Sequence, residues 1–97
     1  MPKSLKKLIA KDTLAMPGAF NAATALLIEE AGFKAVYVSG AGLSNSCGLP
    51  DVGLLSLTET VLLSSYITKA VDLPALIDID TGFGGPEQVK EAVRAFE

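Results

Sequence analysis

Three times along this chain a short apolar run is broken by glycine or proline, and a segment with helical spacing follows. Leu14-Ala15-Met16 is the first run. Pro17-Gly18 breaks it, Asn21 is a good N-cap, and Ala22 to Ala31 is rich in helix formers, with Gly32 where a helix C-terminal glycine belongs. The second run is Ala35-Val36-Tyr37-Val38-Ser39, ended by the turn Gly40-Ala41-Gly42. A long loop from Leu43 to Leu55 leads to Ser56-Leu57-Thr58-Glu59, the pattern of a capping box, and a helix to about Val71 carries Leu63, Ile67, Ala70 and Val71 at helical spacing. Leu73-Pro74 restarts the chain, and Ala75-Leu76-Ile77 is the third run. Pro86 then falls at a first helical position, and Val89, Ala92, Val93 and Phe96 line one face of the last helix.

Strands that alternate with amphipathic helices pair in parallel, through right-handed crossovers. The second run is nearly all apolar, as a strand covered on both faces must be. The expected fold class is therefore α/β, with about three βα units. Three units in a row leave two bare sheet edges, a liability for a free-standing domain. The chain also stops at Glu97 inside a helical pattern, with no capping residue, glycine or proline after it. Residues 1–97 are expected to be the N-terminal part of a single (β/α)8 TIM-type barrel, which needs about 250 residues. A complete three-layer mini-domain is the alternative.

Composition removes several classes of function. Net charge is −3, and no basic cluster suggests nucleic acid. Lys3, Lys6, Lys7 and Lys11 alternate with Leu5, Leu8 and Ile9, the pattern of a short amphipathic helix with solvated lysines. Lysine interrupts every apolar run there before signal-peptide length, and no stretch approaches a membrane span. One cysteine, Cys47, excludes an internal disulfide and fits a reducing, cytoplasmic setting. With no histidine, imidazole zinc sites and histidine-based triads are excluded within this chain.

The chemistry gathers where parallel sheets carry their sites, at the carboxyl ends of the strands. Phe20-Asn21 follows the first strand, Tyr37, Ser39 and Gly40 end the second, Asp51 lies on the loop after it, and Asp78 and Asp80 end the third. Side chains at i and i+2 of a strand share a face, so Asp78 and Asp80 aim at one spot. Like charges repel there and burial penalises each of them. A divalent cation removes both costs, and two carboxylates plus waters is a usual way to hold Mg²⁺. The plain alternative is that the aspartates cap a helix or bond turn amides. Ser39-Gly40-Ala41-Gly42 offers backbone N–H groups and a hydroxyl suited to a carboxylate or enolate oxygen, or is simply a flexible turn. Tyr37 alone reads as a core tyrosine, Pro50-Asp51 as a turn pair, and Cys47 as an inert thiol with no histidine to activate it.

Four blocks taken together carry a resemblance. Met16-Pro17-Gly18-Ala19-Phe20-Asn21-Ala22, Tyr37-Val38-Ser39-Gly40-Ala41-Gly42, Gly48-Leu49-Pro50-Asp51 and Asp78-Ile79-Asp80-Thr81-Gly82-Phe83-Gly84 resemble, in order and spacing, the isocitrate lyase and phosphoenolpyruvate mutase superfamily, most closely its 2-methylisocitrate lyase branch. The resemblance implies a modified (β/α)8 barrel, usually a homotetramer. It implies a Mg²⁺-dependent reaction on a small α-oxyacid, here cleavage of an α-hydroxy tricarboxylate to pyruvate and succinate through a metal-stabilised enolate. Carried over by position, Asp78 and Asp80 hold the Mg²⁺, while Ser39, Gly40 and Ala41 bind the oxyacid end. Tyr37 lines the pocket and Asp51 helps to position the metal shell and substrate, the two assigned to catalysis.

The resemblance has gaps. A second glycine is frequent in the family where Ala41 stands, and a methyl there narrows the pocket. The Lys-Lys-Cys-Gly-His loop that carries the lyases' catalytic cysteine is absent, and Cys47 is not its equivalent. The expectation is a chain that holds the metal half of a site and is inactive alone. Phosphoenolpyruvate mutase or phosphonopyruvate hydrolase-like chemistry, oxaloacetate decarboxylation, and a non-catalytic truncated domain are the competing readings.

Overall fold

Val36 and Val38 are fully buried, and they set the layering of the molecule. In the computed structural model, which describes residues 4–97, they lie on the central strand of a three-stranded parallel sheet of order β1-β2-β3. The strands are β1 (Gly18–Ala19), β2 (Val36–Val38) and β3 (Ala75–Ile77); the helices are α1 (Leu5–Lys11), α2 (Ala22–Glu30), α3 (Gly40–Ser46), α4 (Leu57–Ala70) and α5 (Pro86–Phe96). Registers Ala19↔Val38 and Val38↔Ile77 run one row of side chains across the sheet. That row belongs to the core: Ala19, Val36 and Val38 pack with Ala25 and Ile28 of α2, Leu43 of α3 and Ile67 of α4, with Ala75 and Ile77 against them.

Period two puts the intervening residues on the other face. Gly18 pairs with Tyr37 and Tyr37 with Leu76, and this second face is open: Tyr37 is half-buried and Leu76 is 44% exposed. The sheet is thus covered by helices on one side only. This is the arrangement of consecutive βα units, and the α/β class expected from the alternation is the class observed.

Local signals explain most element ends. Asn21 caps α2 reciprocally with Thr24: Thr24 N–H donates to Asn21 Oδ1 at 2.8 Å and Asn21 N–H to Thr24 Oγ1 at 3.2 Å. Gly32 follows α2 at φ 92°, a left-handed conformation that glycine adopts without strain. Ser56 and Glu59 form the expected box at α4, and Pro86 stands in the first turn of α5.

Several expectations need correction. The first strand is not Leu14–Met16 but Gly18–Ala19, because the register that pairs with β2 falls after the proline. Gly40-Ala41-Gly42 is not a turn but the opening of α3, which runs to Ser46; the Ser39 hydroxyl, accepting from Gly42 N–H at 3.1 Å, caps it and offsets poor helix formers. The structureless loop is accordingly shorter than 43–55. On α1, Lys6, Lys7 and Lys11 are exposed as expected, but so is Ile9, 54% exposed; Lys3 lies outside the described residues. The face on α5 is also uneven, with Ala92 buried and Val93 exposed.

Candidate active site

Asp78 and Asp80 do converge, but not by strand alternation. β3 ends at Ile77, and the Asp78 N–H still donates to Val38 O at 3.1 Å. The chain then turns: Asp80 takes φ 51°, and its N–H donates to Asp78 Oδ1 at 2.8 Å. Asp78 therefore folds its own loop as an Asx turn, the alternative role, and in doing so brings the second carboxylate back beside the first.

Both carboxylates meet over the first residue of α3. A Cβ built on Gly40 would lie 2.8 Å from Asp78 Oδ2 and 3.4 Å from Asp80 Oδ1. A side chain there would push the carboxylate end of Asp78 aside, so the glycine that looked like a turn residue is a spacer beneath two acids. The same aspartates line a narrow cavity of about 10 Å³ with Gly40, Ser44, Gly53 and Thr60, space for about one water-sized group.

Charge makes the convergence costly. Burial, then the Asp78 charge, then that of Asp51 push the Asp80 carboxyl above the usual aspartate range. Asp51 is exposed on its loop, yet its field reaches Asp80, so three of the sequence-predicted acids act on one point. Hard carboxylate oxygens that crowd together, with the Asp80 carboxyl held above its usual range, fit a Mg²⁺ ion. Among the described residues no cluster of three or more His, Cys, Asp or Glu side chains has the geometry to hold a metal alone, so waters or other ligands must complete a shell.

The other predicted residues take two kinds of place. Ser39, Gly40 and Ala41 form the start of α3, where the first backbone N–H groups of a helix have no intrahelical acceptor. Tyr37 sits two residues before Ser39 but on the open sheet face, away from the helical layer. Ser44 and Thr60, both buried, line the acidic cavity and were not singled out in the sequence. Nothing local marks them, since Thr60 Oγ1 donates to Ser56 O at 2.8 Å like any threonine in a first helical turn. A larger cavity of about 310 Å³ lies at the opposite, amino end of the sheet, lined by Lys11, Phe33 and Lys34 among others; it has no converging acids, so size alone does not select it.

Known proteins resemble this chain in sequence and in fold. The family model for phosphoenolpyruvate phosphomutase matches residues 5–97. A 2-methylisocitrate lyase of Aeropyrum pernix is 46% identical over 94 residues, covering 96% of this chain and 30% of that protein. A crystal structure of phosphoenolpyruvate phosphomutase from Streptomyces platensis superposes with a TM-score of 0.88 at 35% identity, over 95% of this chain and 32% of that one. Phosphonopyruvate hydrolase in complex with oxalate and Mg²⁺ superposes with a TM-score of 0.85 at 34% identity, over 92% of this chain and 31% of that one. The chain thus spans about a third of the length of the relatives it matches. By sequence and by fold, it belongs to the phosphoenolpyruvate phosphomutase family, within the isocitrate lyase and phosphoenolpyruvate mutase superfamily.

Proposed function

We propose that this chain forms the metal-binding side of a Mg²⁺-dependent carbon–carbon lyase of the 2-methylisocitrate lyase type, as the N-terminal part of a single (β/α)8 barrel. The observation that carries the reading is the pair of carboxylates over Gly40, one of them resisting ionisation. The 46% identity to a 2-methylisocitrate lyase supports the choice of lyase over phosphoryl chemistry.

Cleavage of an α-hydroxy acid removes the hydroxyl proton, turns C–O into C=O and breaks the adjacent C–C bond. The electron pair passes to the departing carbon, where a neighbouring carboxylate stores it as an enolate. Asp78 and Asp80 would hold Mg²⁺, which supplies positive charge to the substrate's oxygens as that negative charge develops. The Gly40 and Ala41 N–H groups, aimed outward from the first turn of α3, and the Ser39 hydroxyl would orient the carboxylate end of the oxyacid. Tyr37 would wall the open face of the sheet, and Asp51 would keep a negative field on the cation side. The departing carbon needs a proton, and this chain offers no histidine and no activated cysteine to give it. The acid therefore belongs to sequence beyond this chain.

Titration of Mg²⁺ with oxalate, into the whole natural polypeptide that carries this sequence and into its Asp80→Ala variant, tests the site. Saturable binding lost in the variant is expected. Pyruvate release from 2-methylisocitrate is expected from the natural polypeptide and not from residues 1–97 alone. Binding that survives Asp80→Ala would move the metal elsewhere, and release of a phosphonate-derived product without lyase activity would favour the mutase reading.

A further inference from the structure

Ser44 is only 5% exposed, and the roles above assign nothing to its hydroxyl. It stands four residues after Gly40, so it shares the face of α3 over which Asp78 and Asp80 meet. Its carbonyl is used, accepting from Cys47 N–H at 3.1 Å and Leu49 N–H at 2.9 Å, which fixes the residue in place. The serine hydroxyls at the two ends of the helix are committed: Ser39 Oγ accepts from Gly42 N–H at 3.1 Å, and Ser46 Oγ donates to Leu43 O at 2.8 Å. Among the described residues no such bond engages the hydroxyl of Ser44.

The cavity of about 10 Å³ that Ser44 lines limits what this hydroxyl can meet, because its volume is that of one water. The polar side chains of its wall are Asp78, Asp80, Ser44 and Thr60, the last from α4 and also 5% exposed. Counting protons then orders them. Ionised carboxylates only accept. Thr60 Oγ1 gives its proton to Ser56 O at 2.8 Å and is left to accept. A water among them has two protons to give, one to a carboxylate oxygen and one to Thr60 Oγ1. It then needs a donor of its own, and Ser44 is the one side chain of the wall with a proton to offer. Resting on the reading of the two acids as a Mg²⁺ site, we propose that Ser44 is a positioning residue, whose hydroxyl donates to a water in this cavity that in turn donates to the acid pair. The water steadies a carboxylate from the side of α3 and α4 and leaves the remaining oxygens to the ion. Partners behind metal ligands act in this way, by orienting the groups that touch the metal.

A crystal structure of the whole natural polypeptide that carries this sequence, at a resolution that shows waters, is expected to hold one in this cavity. It should lie within hydrogen-bond distance of Ser44 Oγ, Thr60 Oγ1 and a carboxylate oxygen. Calorimetric titration of Mg²⁺ is expected to give an affinity about tenfold lower for Ser44→Ala than for the unaltered polypeptide. Ser44→Thr, which keeps the hydroxyl, should restore it. A residue that only packs would shift the metal-free melting temperature of Ser44→Ala and leave its Mg²⁺ affinity unchanged. That result would overturn the role of Ser44 and leave the acids' role standing. So would a cavity without a water in the crystal, or direct ligation of the ion by Ser44, and the crystal decides even if Ser44→Ala does not fold. Failure of the unaltered polypeptide to bind Mg²⁺ would overturn the metal reading, and the proposal with it.

Discussion

Asp80 is exposed, yet partial burial and the charges of Asp78 and Asp51 disfavour its ionised form, and that gives its titration a sign. Its folded pKa lies above 3.8, the ordinary value for an aspartate, so ionisation opposes folding when no cation is present. The penalty is complete above the folded pKa and disappears as pH falls through it and below 3.8. Without Mg²⁺, Asp80→Asn is expected to melt higher than the parent at pH 7, and this advantage should shrink steadily towards pH 3.8. With saturating Mg²⁺ at pH 7 the order should reverse, because only the parent gains from binding. Thermal melts at matched ionic strength read both. Gly40→Ala separates geometry from charge. The new methyl would meet Asp78 Oδ2 at 2.8 Å, and the carboxylate end can swing aside. The fold should persist while Mg²⁺ affinity falls about tenfold, a loss of about 1.4 kcal/mol. Unchanged affinity would mean that Asp78 does not reach the ion.

Elements whose ends are written locally were legible in the sequence. Asn21 and Thr24, and Ser56 and Glu59, contain both halves of their capping boxes within four residues, so no tertiary knowledge was needed. Asn21→Ala should cost about 1 kcal/mol by urea denaturation. Glu59 shows the opposite pH sign to Asp80. Hydrogen bonds from the Ser56 backbone and hydroxyl lower its pKa below 4.5, so the stability they confer is full above 4.5 and lost as pH falls through the folded value. Glu59→Gln should flatten that part of the acid melt. Features set by partners far along the chain were not legible. β1 lies beyond Pro17 because Gly18 and Ala19 are what pairs with Tyr37 and Val38, and propensity favoured Leu14–Met16. α3 was hidden because Gly40 and Gly42 are there for the acids and for Phe20 rather than for the helix. The convergence of Asp78 and Asp80 was expected from the pleat of a strand, whereas a turn brings them together.

At the scale of the molecule, surface area tells the same story as topology. The chain exposes 6263 Å², whereas a compact monomer of 10.0 kDa exposes about 5,200 Å². Leu76 on the open sheet face, and Leu27, Leu62 and Tyr66 on the helices, contribute to the excess. What core there is depends on few side chains, with Leu43, Ile67, Val36 and Val38 the largest fully buried. Ile67→Ala is expected to cost about 2–5 kcal/mol, enough to unfold residues 1–97 in isolation. Circular dichroism of the variant beside the parent checks this.

The loop that carries Asp80 rests on α5 at two points. A Cβ on Gly82 would come within 3.1 Å of Val89 Cβ near the start of the helix, and the Phe83 ring stacks on Phe96 near its end, centroids 6.4 Å apart. The helix is thus a straightedge against which the acidic turn is laid. A slide of α5 along α4 would shift the turn it supports, so the spacing of the two carboxylates is geared to how that helix packs.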